Sequence, residues 1–235
     1  MMTVPIFDSK NIPFLVKAGL SVAISIVLFP ILKLDDIPVY SSVIPFGIKV
    51  IGEISLGVII GFSVKLIFAG VQLAGQIAGF QMGFAFVNVI DPATSAQVPI
   101  IAQAKNLIAM LIFLSINAHY WFLRGLVESF RLVPPLDFKF SASLMEQFIR
   151  VTSNMFIIAI KVGAPVMVAL LLTTVALGLV ARTVPQMNVF IVAMPAKIGI
   201  GLLFLVFTVP YLSSFLRQVF SGLGNDIVLL LKAMS

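Results

Sequence analysis

Long apolar runs separated by short polar stretches dominate this chain. The first run, Phe14–Phe29, follows Pro13 and stops at Pro30. Proline is tolerated in the first turn of a helix and terminates a helix at its far end, so this run predicts one helix. The later runs are Phe46–Val89, Ile101–Leu123, Phe148–Leu179 and Val189–Leu212. Because one bilayer crossing needs about 20 apolar residues, the pattern predicts an all-α, membrane-associated protein of helical hairpins.

Two of these runs leave their helices undecided. The run Phe46–Val89 is either one very long helix or two helices broken near Gly70. The run Phe148–Leu179 is interrupted by Lys161 and Pro165. The tail behaves differently, since apolar residues recur at helical spacing over 213–234 and predict an amphipathic helix.

The composition indicates an apolar environment. Hydrophobic residues make up 60% of the 235 residues and charged residues 10%, and the mean hydropathy is +1.17. A soluble domain carries about 25% charged residues, so lipid or other apolar protein must cover much of this surface. The net charge of +6 fits Lys and Arg facing anionic lipid. No basic cluster with interleaved aromatics suggests nucleic acid, and no linker divides residues 1–235, which we expect to form a single domain.

The residues that carry enzymatic chemistry are sparse. The chain has no cysteine, which removes disulfides, thiolate metal sites and cysteine nucleophiles. The only histidine, His119, precedes Tyr120-Trp121, and we interpret it as part of an interfacial aromatic belt or a helix cap. A metal site needs several ligands, and neither a catalytic base near a serine nor a phosphate-binding loop is present. We therefore predict no enzyme, no metal and no cofactor.

Glycine spacing is the clearest packing signal. Gly57 and Gly61 are four residues apart, and Gly75, Gly79 and Gly83 continue the same spacing. Residues four apart share one helical face, and missing side chains let two helix backbones approach closely in an apolar environment. We predict that these five glycines pack against neighbouring helices.

Several charges lie inside the apolar runs. A charge near the bilayer centre costs at least about 2.5–3.5 kcal/mol, so such side chains should face protein or water. Lys49 and Glu53 are four residues apart and predict a structural ion pair more readily than a proton relay. Lys161 and Lys197 fit interface lysines, although lysines near broken helices are also typical of transport sites. A small-solute secondary transporter using broken helices around these two lysines therefore remains an alternative.

Three further stretches resemble one family in their residues and order. They are Gly79–Phe86 running into Asp91-Pro92, the middle stretch Phe113–His119, and Arg182–Phe190 continuing to Pro195–Gly201. Together they resemble the FliR family of flagellar type III export-gate proteins, called SctT in injectisomes. The positions that match the last signature are Arg182, Pro185, Gln186, Asn188, Pro195 and Lys197.

This resemblance implies a function and partners. FliR members join FliP and FliQ in a helical gate in the bacterial inner membrane, at the flagellar basal body, and FlhB associates with that complex. Unfolded flagellar subunits pass through the gate. Members usually carry another apolar helix before the stretch that matches Val4–Pro13, so we expect either a shortened chain or a start assigned late.

The resemblance also implies a loop that helps to plug the closed pore, at the positions Phe84–Pro99. Apolar side chains at a constriction exclude water and ions until a wide substrate displaces them. The residues expected in this plug are Phe84, Phe86, Val89, Ile90, Asp91 and Pro92.

Overall fold

The protein is helical throughout its described parts. The computed structural model describes residues 13–31, 42–84, 99–184, 186 and 188–234. Within these ranges every regular element is a helix, which confirms the predicted all-α class. The elements are α1 (Phe14–Leu28), a short 3-10 helix (Phe29–Ile31), α2 (Val43–Met82), α3 (Ile100–Ser115), α4 (Ala118–Leu132), α5 (Ala142–Thr183), α6 (Val189–Phe207) and α7 (Val209–Met234).

The two undecided runs each form one continuous helix. Helix α2 has 40 residues and passes Gly70 without a break. Helix α5 has 42 residues and continues through Lys161 and Pro165, although these two residues interrupt the apolar run. Proline removes one backbone hydrogen bond from a helix interior. In apolar surroundings neighbouring groups compensate for that loss, and the helix continues.

The predicted helix Ile101–Leu123 is instead divided at Asn117. Helix α3 ends at Ser115, and Asn117 adopts a left-handed backbone conformation with φ of 54°. Asparagine tolerates this conformation better than most residues because its short polar side chain can bond locally. Helix α4 then continues to Leu132, into a stretch that the sequence indicates as polar. Hydrophobicity does not report this bend, because both flanks of Asn117 are apolar.

Several helices meet the length and composition needed to cross a membrane. Helices α2 and α5 each qualify alone, and the pairs α3 with α4 and α6 with α7 qualify if each bent pair counts as one span. Helix α1 is apolar but shorter. These properties support a membrane location.

The chain divides into two compact units, and the single domain expected from the sequence stays a prediction. Unit 1 comprises Met1–Phe68, Phe113–Asn154 and Arg217–Ser235, and unit 2 comprises Ala69–Ile112 and Met155–Leu216. The boundaries at residues 68, 154 and 216 fall inside helices α2, α5 and α7. Because no loop marks these boundaries, the sequence offers no linker signal for the division.

Aromatic residues form the core of unit 1. The rings of Phe68, Phe113 and Phe220 lie 5.1 to 5.6 Å apart, centroid to centroid, which is the range of favourable aromatic pairs. Helices α4 and α7 approach closely beside them. A methyl group at Gly125 would lie 2.8 Å from Cγ2 of Ile227, so glycine permits this contact.

A polar turn joins α4 to α5 in unit 1. Leu136 has a φ of 67°, and its N–H donates to the carboxylate of Glu53 over 2.7 Å. Lys49 pairs with Asp137 at 3.9 Å. The predicted Lys49–Glu53 pair is therefore wrong, because the turn gives each of these side chains another partner.

Ser141 immediately precedes helix α5. Its Oγ accepts a hydrogen bond from the N–H of Leu144 over 3.1 Å, which is the geometry of a helix N-cap. The same hydroxyl donates to the carbonyl oxygen of Ala233 over 2.6 Å. One serine thus caps α5 and ties it to the last turn of α7.

Candidate functional site at the end of the glycine-rich helix

The glycine face of α2 lies directly against α3 in unit 2. A methyl group at Gly75 would lie 2.4 Å from the Cα of Ala102, a distance that two carbons do not adopt. At Gly79 the same construction gives 3.6 Å to the Cβ of Ile101, an ordinary contact. The two helices therefore approach most closely at Gly75 and separate slightly toward the end of α2.

A second close contact involves α5. A methyl group at Gly70 would lie 2.7 Å from the carbonyl oxygen of Met155, and Gly163 lies near the Cβ of Ala74. Glycine thus occurs on both helices of this contact. Small residues at such places allow van der Waals contact between backbones.

The first glycine pair has different surroundings. No atom lies within 4 Å of a methyl group built at Gly57, whereas Gly61 is buried. Both belong to unit 1. Within the described part of the chain, the side of α2 that bears Gly57 is left open.

Helix α2 ends in the apolar core of unit 2. Met82 is fully buried in a cluster with Ala78, Ile101, Val166 and Leu170, and Phe84 packs against this cluster together with Leu205. Gly83 has a φ of 97°, a conformation that glycine adopts without strain at the end of a helix. The chain therefore leaves α2 through a glycine turn, with Phe84 held against the core. Of the residues expected in the plug, Phe86, Val89, Ile90, Asp91 and Pro92 lie outside the described residues.

Lys105 is a buried lysine that the sequence reasoning missed. Its exposed fraction is 2%, and its Nζ donates to the carbonyl oxygen of Val162 over 3.3 Å. This carbonyl is adjacent to that of Lys161, which the missing N–H of Pro165 leaves without its usual helical donor. A lone lysine within the apolar helix α3 was the available signal, because a buried ammonium needs an acceptor.

Lys161, one of the two lysines expected beside a helix break, has an aromatic neighbour. The Nζ of Lys161 lies 5.7 Å from the ring centroid of Phe215, within reach of a cation–π contact. Lys161 is exposed within the continuous helix α5. Helix α6 likewise continues through Pro195 and Lys197. The broken helices expected around these two lysines are therefore absent from the described ranges, which removes the structural premise of the transporter alternative.

The described signature residues belong to the last turn of α5, the segment after it and α6. Arg182 lies in the last turn of α5, Gln186 and Asn188 follow the helix, and all three residues are exposed. Pro195 is exposed within α6, and Pro185 lies outside the described residues. Lys197 lines a cavity.

This cavity is a groove of about 360 Å³ beside the end of α2. Its walls are mainly apolar, with Lys197 as the charged group and Gln81 and Thr174 as polar ones. The Thr174 hydroxyl donates to the carbonyl oxygen of Leu170 over 2.8 Å, so this donor is already used. The apolar lining residues are Phe80, Met82, Gly83, Leu170, Leu171, Ala193 and Met194.

The electrostatics of unit 2 are one-sided. Its sequence contains four basic residues, Lys105, Lys161, Arg182 and Lys197, and a single acidic one, Asp91. Asp91 is outside the described residues, so the described part of unit 2 contains no carboxylate. Among the described residues of the whole chain, no three His, Cys, Asp or Glu side chains gather as metal ligands would.

Long apolar helices in contact through glycine, with basic residues and almost no acidic ones in unit 2, define an all-α membrane protein suited to helix association. The sequence model of the family "Bacterial export proteins, family 1" matches residues 1–223, and the chain belongs to this family. The resemblance to FliR is thereby confirmed.

Curated relatives extend the match over nearly the whole chain. The flagellar biosynthetic protein FliR of Bacillus subtilis (strain 168) is 36% identical over 233 residues, covering 94% of this chain and 85% of the relative. The FliR of Escherichia coli (strain K12) is 30% identical over 224 residues, covering 95% and 85%. The FliR of Aquifex aeolicus (strain VF5) is 26% identical over 213 residues, covering 91% and 82%.

Proposed function

We propose that this chain is the FliR-type subunit of a flagellar protein-export gate. The observation that carries the proposal is the match of the bacterial export family to residues 1–223, together with relatives named for flagellar biosynthesis over most of the chain. The work of such a subunit is structural. It builds part of a passage, and its own residues perform no chemical step on the exported protein.

We propose FliP-like and FliQ-like subunits as the partners, with an FlhB-like subunit associated and the assembly placed in the inner membrane at the flagellar basal body. Exposed apolar helix faces support this. Ile191 on α6 is 70% exposed and Val206 is 69% exposed. Within the most apolar window of α5, 39% of the residues are buried. Neighbouring subunits and lipid tails would together cover such faces.

The experiment is co-expression of the chain with the FliP-like and FliQ-like subunits of the same organism, followed by purification in mild detergent. A stoichiometric complex is expected. A stable, stand-alone monomer that moves a small solute into vesicles would instead support the transporter and overturn the gate. The continuous helices α5 and α6 argue against that result.

We further propose that the segment after Phe84 contributes the plug. An apolar constriction opposes ion flow because water does not wet it, and it binds no particular sequence of the exported chain. Phe84 supports this proposal from the described side, since its packing against the Met82 cluster fixes where the segment starts. Asp91 and Pro92 are part of the proposed plug segment.

Replacing Val89 and Ile90 with glycine tests the plug. The resting ion leak of cells is expected to rise while the amount of the subunit in the membrane stays constant. A matched control replaces Val43 and Ile44, the same pair of residue types, which are 85% and 75% exposed at the start of α2. If the first double variant matches wild type in both leak and secretion, Val89 and Ile90 do not belong to the plug.

A further inference from the structure

We infer that the groove beside Lys197 receives an apolar helix of another gate subunit, and that this helix carries an Asp or Glu whose carboxylate meets the Lys197 amine. The inference rests on the proposed gate, since it names the chemistry of one contact within that assembly. It concerns α6 and the end of α2, and it does not involve the plug.

The charge balance of unit 2 is the first argument. The described residues of unit 2 include no carboxylate, so each basic side chain needs solvent or a different kind of partner. Lys105 has the Val162 carbonyl oxygen, and Lys161 has the Phe215 ring. Arg182 is exposed at the end of α5. Lys197 is half-buried, and no described residue provides a hydrogen bond, ion pair or aromatic ring for its amine.

The groove itself is the second argument. An unpaired charge against apolar walls is unfavourable unless an opposite charge completes it. The walls formed by Met82, Leu170 and Met194 match apolar side chains of a partner. Small residues, Gly83 and Ala193, leave room for a helix to approach. A volume of about 360 Å³ holds side chains of a docked helix, whereas the helix itself, about 10 Å across, would lie over the groove.

The position of Lys197 along α6 favours a protein carboxylate over a lipid headgroup. Lys197 comes eight residues after Val189 and ten before Phe207, the two ends of the helix. At about 1.5 Å per residue, it lies roughly 12 Å and 15 Å along the axis from these ends. As part of the proposed membrane placement, we take α6 by itself to cross the hydrocarbon core, which is about 30 Å thick and excludes headgroups. A carboxylate on a neighbouring helix can occupy the required depth, whereas a headgroup lies near the ends.

Cysteine crosslinking tests the contact directly, because the chain contains no cysteine and an engineered one is its only thiol. We would combine Lys197→Cys with single Asp→Cys or Glu→Cys changes in the apolar helices of cysteine-free, co-expressed partner subunits. One acidic position is expected to be crosslinked in the assembled complex by a bifunctional maleimide reagent, because a Lys–carboxylate contact holds its two Cα atoms farther apart than the roughly 4.4–6.8 Å that a direct disulfide requires. Lys161→Cys, another lysine of the same unit lying outside the groove, is the control and is expected not to crosslink at that position.

Charge exchange gives an independent readout. Lys197→Glu is expected to weaken assembly by at least about 30-fold, as for a broken buried charge pair, and Asp→Lys or Glu→Lys at the crosslinked position is expected to restore it. Lys197→Met keeps the side-chain length and removes the charge. It is the second variant for the case in which Lys197→Glu fails to fold.

The outcomes separate the two proposals. If wild-type subunits do not co-purify, the gate proposal itself fails. If they co-purify but Lys197→Cys crosslinks no acidic position and Lys197→Glu assembles as wild type does, the gate stands and the groove contact is wrong. If crosslinking fails and Lys197→Glu instead removes a co-purified anionic phospholipid, a lipid occupies the groove and the inference is also overturned.

Discussion

Gly75→Ala is the sharpest test of the packing between α2 and α3. The added methyl group would lie 2.4 Å from the Cα of Ala102, whereas carbon atoms rest about 3.5–4.0 Å apart. The obstacle is backbone, so no side chain can rotate away, and the helices must separate by about 1 Å or more. Overpacking of this kind costs roughly 1–3 kcal/mol.

Alanine also favours the helix more than glycine does, which opposes the packing cost. Two control substitutions allow this gain in helix propensity to be subtracted. Replacing glycine with alanine within a helix contributes about 0.5–1 kcal/mol of stability. Gly57→Ala has no atom within 4 Å of the new methyl group, and Gly79→Ala has an ordinary contact at 3.6 Å. Both controls gain the same propensity in the same helix without the clash. The difference between Gly75→Ala and either control is therefore the packing cost alone, about 1–3 kcal/mol.

Thermal unfolding of the purified chain in one detergent, followed by circular dichroism, measures this difference. For a chain of 150–250 residues, 1 kcal/mol shifts the Tm by about 2–4 °C. Gly75→Ala should therefore melt roughly 2–12 °C below Gly57→Ala and Gly79→Ala. If all three variants melt together, the close approach of α2 to Ala102 does not exist in the folded protein and the packing argument is refuted.

Two further pairs of substitutions test local features by the same assay. Leu136→Gly should stabilise the chain by about 0.5–1 kcal/mol, because glycine removes the roughly 1–2 kcal/mol cost of a left-handed leucine but loses more backbone entropy on folding. Asn117→Gly should stabilise the chain less, since asparagine tolerates its φ of 54°. An equal gain in stability from both variants would contradict the strain at Leu136. The free energy of unfolding of Lys105→Met should equal that of wild type or exceed it by up to about 4 kcal/mol, since methionine fills the site without a buried charge. Lys105→Ala should be about 2–5 kcal/mol less stable than Lys105→Met, because it leaves a cavity. A Lys105→Met variant less stable than wild type would show that the hydrogen bond to Val162 outweighs the desolvation of the amine.

The sequence predicts the helices better than the places where they change direction. Pro13 locates the start of α1 because proline acts through the local backbone alone. Pro165 does not end α5, since the effect of an internal proline depends on which groups surround the freed carbonyl. The turn at Asn117 gives no hydrophobic signal, because the left-handed conformation of one residue leaves the composition unchanged.

Partners of charged side chains were the least predictable part of the site. Helical spacing suggests that Lys49 pairs with Glu53. In the structure Glu53 instead accepts from the N–H of Leu136 and Lys49 pairs with Asp137, both more than eighty positions away along the chain. The burial of Lys105 likewise depends on a carbonyl 57 positions away. Spacing reports neighbours on one helix only, whereas the tertiary fold decides which of two possible partners is nearer.

The lengths of α2 and α5 have a consequence for the life of the chain in the cell. Helices of 40 and 42 residues measure about 60 Å along their axes, twice the thickness of a hydrocarbon core. A tilt near 60° would be needed to submerge them fully, beyond the roughly 40° seen in transmembrane helices. A copy made before its neighbours would therefore present uncovered greasy surface to water, which makes it a target for chaperones and membrane proteases and couples its abundance to the supply of the other subunits.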